Sequence, residues 1–123
     1  NETYAALVTA ATGWEIDYKE LLRYGERTWN VIRMFNIREG IDRKEDSSLP
    51  KRFKDPLPSG PAKGHKMEDG DFNKLLDWYY VARGWDENGI PTEAKLVELG
   101  LEDLAEALRA NNPKSRPLRK RHI

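Results

Sequence analysis

Apolar side chains recur every three or four residues over a long stretch between Tyr18 and Gly40. This spacing predicts an amphipathic α-helix, whose apolar stripe consists of Leu21, Leu22, Gly25, Thr28, Trp29, Ile32 and Phe35. A second apolar lane contains Val31, Met34 and Ile37. The polar positions, which we expect to face solvent, are Lys19, Arg23, Glu26, Arg27, Asn30 and Arg33. Because the apolar surface is wide, we expect this helix to pack against neighbours on two sides.

The two ends of this long helix carry local signals. Asp17 is predicted to be the N-cap, and Glu20 three residues later completes a capping-box pattern. Gly40 is predicted to end the helix, since glycine readily adopts the left-handed backbone found after many helices. Inside the helix, Gly25 costs about 1 kcal/mol relative to alanine. We expect a closely crossing helix to compensate for that cost.

Helical spacing also appears in four shorter segments. They are residues 3–11 before Gly13, the segment from an N-cap at Asp71 to Gly84, Glu93–Glu98 after an N-cap at Thr92, and residues from about 102 to 110. No strand pattern and no internal repeat is convincing. The predicted fold class is therefore all-α, with about five helices.

Residues 41–67 show no sustained periodicity and form the predicted long irregular loop. Four prolines, two glycines and eleven charged residues argue against any regular element in this segment. Loops of this length are uncommon inside a compact domain unless they are functional or act as linkers. Leu49, Phe53 and Leu57 are spaced apolar residues, which favours a loop laid over a surface. Arg–carboxylate pairs around Arg38, Arg43 and Asp46 would help to pin it.

Length and composition set outer limits on the architecture. The 123 residues suffice for one domain, which we place at residues 1–110, followed by a basic tail at 111–123 that we expect to be disordered. The 21 basic and 21 acidic residues balance, so no net field favours nucleic acid. No apolar run approaches the roughly 20 residues of a membrane span. The tail is either a solvated end, which its lack of aromatic residues favours, or a contact for an acidic partner or nucleic acid.

Candidate chemistry is sparse. The chain has no cysteine and only two histidines, His65 and His122, which lie far apart, so we expect no metal site. Gly60 to Lys66 contains glycines beside lysine, but a phosphate-binding loop would require a preceding strand and a Ser or Thr after the lysine. No carboxylate pair is singled out for acid–base work. We therefore predict no catalytic residue.

Five groups of residues nevertheless follow one another in a familiar order. They are Ala11-Thr12-Gly13-Trp14; Gly25-Glu26-Arg27, Asn30 and Phe35-Asn36-Ile37-Arg38-Glu39-Gly40; Arg43, Asp46 and Leu49-Pro50-Lys51-Arg52-Phe53; Pro58 and Gly60-Pro61-Ala62-Lys63-Gly64-His65; and Tyr79-Tyr80, Arg83-Gly84-Trp85-Asp86, Gly89-Ile90-Pro91-Thr92, Leu96 and Leu99-Gly100-Leu101. In register over about residues 4–101, they resemble the C-terminal helical domain of tungsten-containing aldehyde:ferredoxin oxidoreductases. The sequence departs from the family pattern by one extra residue near Asp46 to Leu49 and by its long basic tail.

The resemblance implies a fold and a function for a larger enzyme. Such an enzyme is cytoplasmic and oxidises aldehydes to carboxylates at a tungsten, or molybdenum, bis-pterin. Its electrons pass through a four-iron four-sulfur cluster to ferredoxin. The implied cofactors belong to upstream domains, so we expect none in this chain, no activity from this chain alone, and packing against those domains. A homo-oligomer is compatible with the resemblance, and no nucleic-acid or membrane partner is implied. The candidate residues for an interface or channel are Arg38, Arg43, Lys63 and His65.

A second hypothesis is a free-standing helical protein–protein interaction module that uses the loop and the tail as its contact surface. The two hypotheses differ in what they expect of the molecular surface. A part of a larger enzyme should leave apolar surface uncovered where the rest belongs, and we expect this beside Val31, Met34 and Ile37. An interaction module should be well packed by itself.

Overall fold

The computed structural model describes residues 1–111 of the chain. Its regular elements are α1 (Glu2–Thr12), α2 (Tyr18–Arg38), α3 (Arg43–Asp46), a 3₁₀ turn (Lys51–Phe53), α4 (Asp69–Arg83), α5 (Glu93–Glu98) and α6 (Glu102–Asn111). Among these residues the only strand-like feature is an isolated antiparallel bridge between Trp85 and Pro91. The predicted all-α class is confirmed, with six α-helices in place of about five. Residues 112–123 of the predicted tail lie outside the described part of the chain.

The helix ends follow the local signals in the sequence. The backbone N–H of Glu20 donates to Oδ1 of Asp17 at 2.8 Å, as expected of the predicted N-cap of α2. After α4, the N–H of Trp85 donates to the carbonyl of Tyr80 at 2.9 Å, and the N–H of Gly84 donates to the carbonyl of Val81 at 3.1 Å. This pair of hydrogen bonds is a Schellman motif. It requires the positive φ of 69° at Gly84, which glycine adopts without steric cost.

Two local predictions were wrong. Helix α4 begins at Asp69 and its N-cap is Glu68, three residues before the predicted N-cap at Asp71. The predicted irregular loop also contains α3, which is capped by Asp42 and Glu45. The Asp42 side chain accepts from the N–H of Lys44 at 2.8 Å, and the Glu45 side chain accepts from the N–H of Asp42 at 3.1 Å. This capping box satisfies free backbone donors and so allows a short helix where charge and proline predicted none.

The chain divides into two compact units. Among the described residues, one contains residues 1–33 together with residues 93–111, and the other contains residues 34–92. In the first unit, α5 packs against α6. Its buried apolar residues include Ala5, Leu96, Leu99 and Ala105. In the second unit, Tyr80 and Trp85 are buried, and Tyr79 contacts Trp85 edge-on with ring centroids 5.6 Å apart.

Two arginines of α2 bind the C-terminal end of α5 in the first unit. Nη2 of Arg23 donates to the carbonyl of Glu98 at 3.0 Å. Nη1 of Arg27 donates to the carbonyl of Gly100 at 3.1 Å, and also to the carbonyl of Leu99. The last carbonyls of a helix lack partners within the helix and carry partial negative charge. The two guanidinium groups therefore stabilise the turn between α5 and α6.

Helix α2 faces the opposite way from the prediction. Asn30 and Arg33, which were predicted to face solvent, are 0% and 7% exposed. Nδ2 of Asn30 donates to the carbonyl of Glu26 at 2.9 Å, so the buried amide is satisfied within the helix. The helix packs through its polar side, where Arg23 and Arg27 donate to carbonyl oxygens at the end of α5.

Most of the predicted core stripe of α2 is instead exposed, although Leu21 is half-buried. We call four of its residues, Leu22, Gly25, Trp29 and Ile32, the outer stripe. Leu22 is 55%, Trp29 45% and Ile32 47% exposed. Within the described residues, a Cβ built at Gly25 would meet no atom within 4 Å, so the expected crossing helix is not supplied by this part of the chain. In the second lane Val31 is exposed, but Met34 and Ile37 are half-buried. The prediction of uncovered apolar surface on α2 was therefore correct, but most of that surface lies on the outer stripe and not beside Met34 and Ile37.

Replacing Gly100 with alanine is expected to lower the free energy of unfolding by about 1–2 kcal/mol. Gly100 has a φ of +68°, and a Cβ there would lie 2.9 Å from Nη1 of Arg27. Chemical denaturation of the two proteins measures the difference. Gly70→Ala is the matched control, since Gly70 lies in α4 without positive φ and without an atom within 4 Å of a Cβ. Equal effects of the two substitutions would contradict this account of Gly100.

None of the described helices is both long enough and apolar enough to span a membrane.

Candidate functional site

The loop after α3 is held in shape by its own backbone. The N–H of Leu57 donates to the carbonyl of His65, and the N–H of Gly64 donates to the carbonyl of Leu57, both at 2.9 Å. The N–H of Met67 donates to the carbonyl of Phe53 at 3.0 Å. These bonds close residues 57–65 into a compact turn and return the chain beside the 3₁₀ turn. Backbone groups that would otherwise depend on water are thereby satisfied inside the loop.

A shallow cavity of about 240 Å³ lies in this loop. The lining residues are Arg52, Phe53, Asp55, Leu57, His65, Lys66 and Met67. The guanidinium of Arg52 lies 5.4 Å from the centre of the Phe53 ring. Apolar side chains form part of the lining, and basic groups outnumber the one carboxylate. Such an arrangement can accommodate an apolar group that carries a negatively charged end.

A second cavity, of about 360 Å³, lies where the chain passes from α1 to α2. It is lined by Trp14, Glu15, Ile16, Glu20 and Tyr24. Aromatic faces and carboxylates together attract cations. From the sequence, Glu20 was assigned only to the capping box at the start of α2.

Arg43 lies at the start of α3, and its guanidinium is engaged within the second unit. Nη1 donates to the carbonyl of Glu87 at 3.0 Å and forms an ion pair with Oδ1 of Asp77 at 2.7 Å. Nη2 donates to the carbonyl of Asn73 at 3.4 Å. The guanidinium carbon also lies 5.4 Å from the centre of the Tyr80 ring. These contacts give Arg43 an anchoring role in this unit.

The other three candidate residues lie elsewhere in the second unit. Arg38, at the end of α2, has a side chain that is 67% exposed and pairs with Glu39 at 2.9 Å. Lys63 and His65 are exposed in the compact turn of residues 57–65, and only His65 lines its cavity. The four candidates therefore occupy three places: the end of α2, α3 and the loop. Their role at an interface or channel stays a prediction.

The hydroxyl of Tyr80 donates a hydrogen bond to Oδ2 of Asp46 at 2.5 Å, a contact that was not predicted from the sequence. It joins α4 to the end of α3 across 34 positions of the sequence. Tyr80 is buried, and Asp46 is half-buried. A buried tyrosine hydroxyl generally requires a polar partner, but nothing local in the sequence indicates which residue supplies it.

The chain's own residues do not fit an iron–sulfur cluster. Such clusters are held by cysteine thiolates, and the sequence contains no cysteine. Residues 1–111 also contain no group of three or more His, Cys, Asp or Glu side chains that could hold a metal ion. No chemical step is therefore derived from a metal or cluster bound by this chain.

Residues 1–101 match the family model for aldehyde ferredoxin oxidoreductase, domains 2 and 3. The tungsten-containing aldehyde ferredoxin oxidoreductase of Pyrococcus horikoshii is 43% identical over 103 residues, and that of Thermococcus kodakarensis is 40% identical over 103 residues. Each match covers 83% of this chain but 16% of the relative. The chain thus spans about one sixth of the length of these relatives.

More distant similarities extend beyond aldehyde oxidation. The WOR-like subunit of an aliphatic sulfonate oxidoreductase from Pyrococcus furiosus is 45% identical over 60 residues, which are 49% of this chain and 10% of that protein. The solved active-site complex BamBC of benzoyl coenzyme A reductase with 1,5-dienoyl-CoA superimposes with a TM-score of 0.75 at 28% identity. That comparison covers 94% of this chain and 16% of the other. The match over residues 1–101, together with the 40–43% identical relatives, places this chain in the aldehyde ferredoxin oxidoreductase family.

Proposed function

We propose that this chain is the C-terminal helical part of an aldehyde:ferredoxin oxidoreductase. The observation that carries the proposal is the family match over residues 1–101. We use the term complete enzyme for the polypeptide or complex that contains this chain together with the remaining part of such an enzyme. The exposed outer stripe supports a role within a larger assembly, since apolar surface of this kind commonly marks an interaction site.

The complete enzyme would oxidise an aldehyde to a carboxylate in the cytoplasm. The aldehyde and one water give the carboxylate, three protons and two electrons. The remaining part of the enzyme would hold a tungsten or molybdenum bis-pterin and a four-iron four-sulfur cluster, which supply the redox chemistry. Ferredoxin would receive the electrons. The chain itself would pack against the cofactor-bearing domains and help to enclose the cavity through which the aldehyde enters.

Aldehyde-dependent reduction of ferredoxin by the anaerobically purified complete enzyme tests this proposal. We expect reduction to require the aldehyde, and elemental analysis to find tungsten or molybdenum in proportion to the enzyme. The chain of 123 residues, purified in the same way, serves as the control and should catalyse no reduction. An enzyme that contains neither metal and reduces no ferredoxin with any of a series of aliphatic and aromatic aldehydes would refute the proposal.

A further inference from the structure

The outer stripe of α2 has a notch at its centre. Gly25 lies three residues after Leu22 and four before Trp29, so large exposed side chains stand on both sides of a position without a side chain. Within the described residues, a Cβ at Gly25 would meet no atom within 4 Å. Glycine in the middle of a helix reduces its stability relative to alanine. The part of the chain that the structure describes offers no packing reason for glycine here.

The polar side of the same helix is already occupied. Arg23 and Arg27 donate to carbonyl oxygens at the end of α5, and Asn30 is fully buried. The more exposed side is the one that carries Leu22, Trp29 and Ile32. Within the described residues this apolar side of an amphipathic helix therefore still offers surface on which a further element can pack.

A helix is the element that suits this surface. The backbone groups of α2 are bonded within the helix, so α2 presents only side chains and offers no edge to which a strand could add. Helices pack by placing the ridges of one into the grooves of the other, and small residues at the crossing allow the axes to approach. The notch at Gly25 lies between residues three and four positions away, where such a groove is found.

We propose that a helix from the remaining part of the complete enzyme crosses α2 at Gly25 and covers the outer stripe. The proposal rests on the proposed function, because it requires that remaining part. The length of the relatives indicates where the covering helix comes from. The chain matches 16% of its tungsten-containing relatives, so most of such an enzyme lies outside these residues. A second copy of this chain is the alternative occupant, and crosslinking separates the two.

Substitutions of Gly25 in the complete enzyme test the close crossing. We expect Gly25→Ala to lower the thermal unfolding midpoint and Gly25→Leu to reduce the yield of assembled enzyme at least tenfold, because each side chain fills the notch. Gly70→Ala is the matched control, since Gly70 is also helical with no atom within 4 Å of a Cβ. It should leave the yield unchanged and raise the midpoint slightly, because alanine is the better helix former. If the notch is empty in the complete enzyme, Gly25→Ala will instead raise the midpoint, and the proposal is wrong.

Photo-crosslinking identifies the occupant without requiring a destabilised variant. Ile32 is replaced by benzoylphenylalanine in the complete enzyme, with Leu22 as a second site, and crosslinked peptides are identified by mass spectrometry. Lys74, whose side chain is 69% exposed, is the control position. A crosslink to one helical segment outside these 123 residues supports the proposal. A crosslink to a second copy of α2, or a yield no higher than at Lys74, overturns it.

The wild-type ferredoxin assay keeps the two proposals separate. If the enzyme oxidises aldehydes but the Gly25 variants and crosslinks give the negative results, the helix crossing is wrong and the proposed function stands. If the crosslink reaches a segment outside this chain but no aldehyde is oxidised, the docking surface stands and the activity is wrong.

Discussion

Replacing Arg43 with methionine is expected to lower the free energy of unfolding by about 3 kcal/mol. Hydrogen bonds that involve a charged group contribute about 1.5–3 kcal/mol each, and they contribute less where solvent screens the charge. Arg43 reaches the carbonyl oxygens of Glu87 and Asn73 and the carboxylate of Asp77, and its own side chain is only 25% exposed. Methionine keeps much of the apolar stem but leaves these acceptors without their donor. The loss is measured by chemical denaturation followed by circular dichroism.

Two further variants separate the contribution of the planar, multiple-donor guanidinium of Arg43 from the contribution of its charge. Arg43→Lys keeps the charge but supplies a compact ammonium group that is a poor substitute for the planar fork, so we expect more than half of the loss to remain. Arg38→Met removes an arginine whose side chain is 67% exposed. Among the ion pairs of the described residues, Arg38 pairs with Glu39, which is also exposed. Its effect should stay within about 0.5 kcal/mol. Equal losses for Arg43→Met and Arg38→Met would contradict the anchoring role.

Truncating Leu96 to alanine is expected to cost about 3 kcal/mol, within the range of about 2–5 kcal/mol for a buried leucine. Leu96 is 0% exposed and lies on α5, the helix that packs against α6. The substitution removes apolar contacts and leaves a cavity that the neighbouring side chains only partly fill. Since a typical domain is stable by about 5–15 kcal/mol, this is a large fraction of the total.

The adjacent residue provides the control for Leu96. Val97 lies on the same short helix but is 46% exposed. Val97→Ala removes methyl groups that are already partly hydrated and replaces valine with a better helix former. Its effect should therefore remain below about 1 kcal/mol. A loss as large as that of Leu96→Ala would show that burial in this unit is assigned to the wrong side of α5.

Local features of the fold were the most predictable from the sequence. The N-cap at Asp17 and the glycine ends at Gly13 and Gly84 depend on residues within a few positions of one another. The bounds of α5, predicted as Glu93–Glu98, are confirmed for the same reason. Capping and left-handed glycine are decided by backbone hydrogen bonds that neighbouring residues supply. Two local features were missed. The proline and charge content around α3 outweighed the Asp42–Glu45 capping box, and α4 begins at Asp69 instead of after Asp71.

The direction in which α2 faces was not predictable in the same way. Periodicity identified its apolar stripe correctly, but the identity of the neighbour on each side is not a property of the helix itself. Asn30 and Arg33 are buried, whereas Leu22 and Ile32 remain exposed in the described chain. The apolar pattern of a helix shows which of its faces can be buried. The element that buries this face can belong to another part of a larger protein.

Long-range contacts of the candidate residues were equally inaccessible. Arg43 was expected to line an interface or channel, yet its partners Asn73, Asp77 and Glu87 lie 30 to 44 positions away in the sequence. Asp46 and Tyr80 are joined across a similar separation. Such pairings depend on how the loop and α4 come together in three dimensions, and no spacing rule along the chain encodes them.

The solvent accessibility of Trp29 in the complete enzyme shows directly whether the outer stripe of α2 is covered there. Trp29 is 45% exposed in this chain and lies in the outer stripe. Hydroxyl-radical footprinting with mass spectrometry gives its oxidation rate in the complete enzyme and in the separate chain. If the remaining part of an aldehyde:ferredoxin oxidoreductase covers the stripe, the rate in the complete enzyme will be at least tenfold lower. Equal rates in the two samples would contradict the claim that this face of α2 is built to pack inside a larger enzyme.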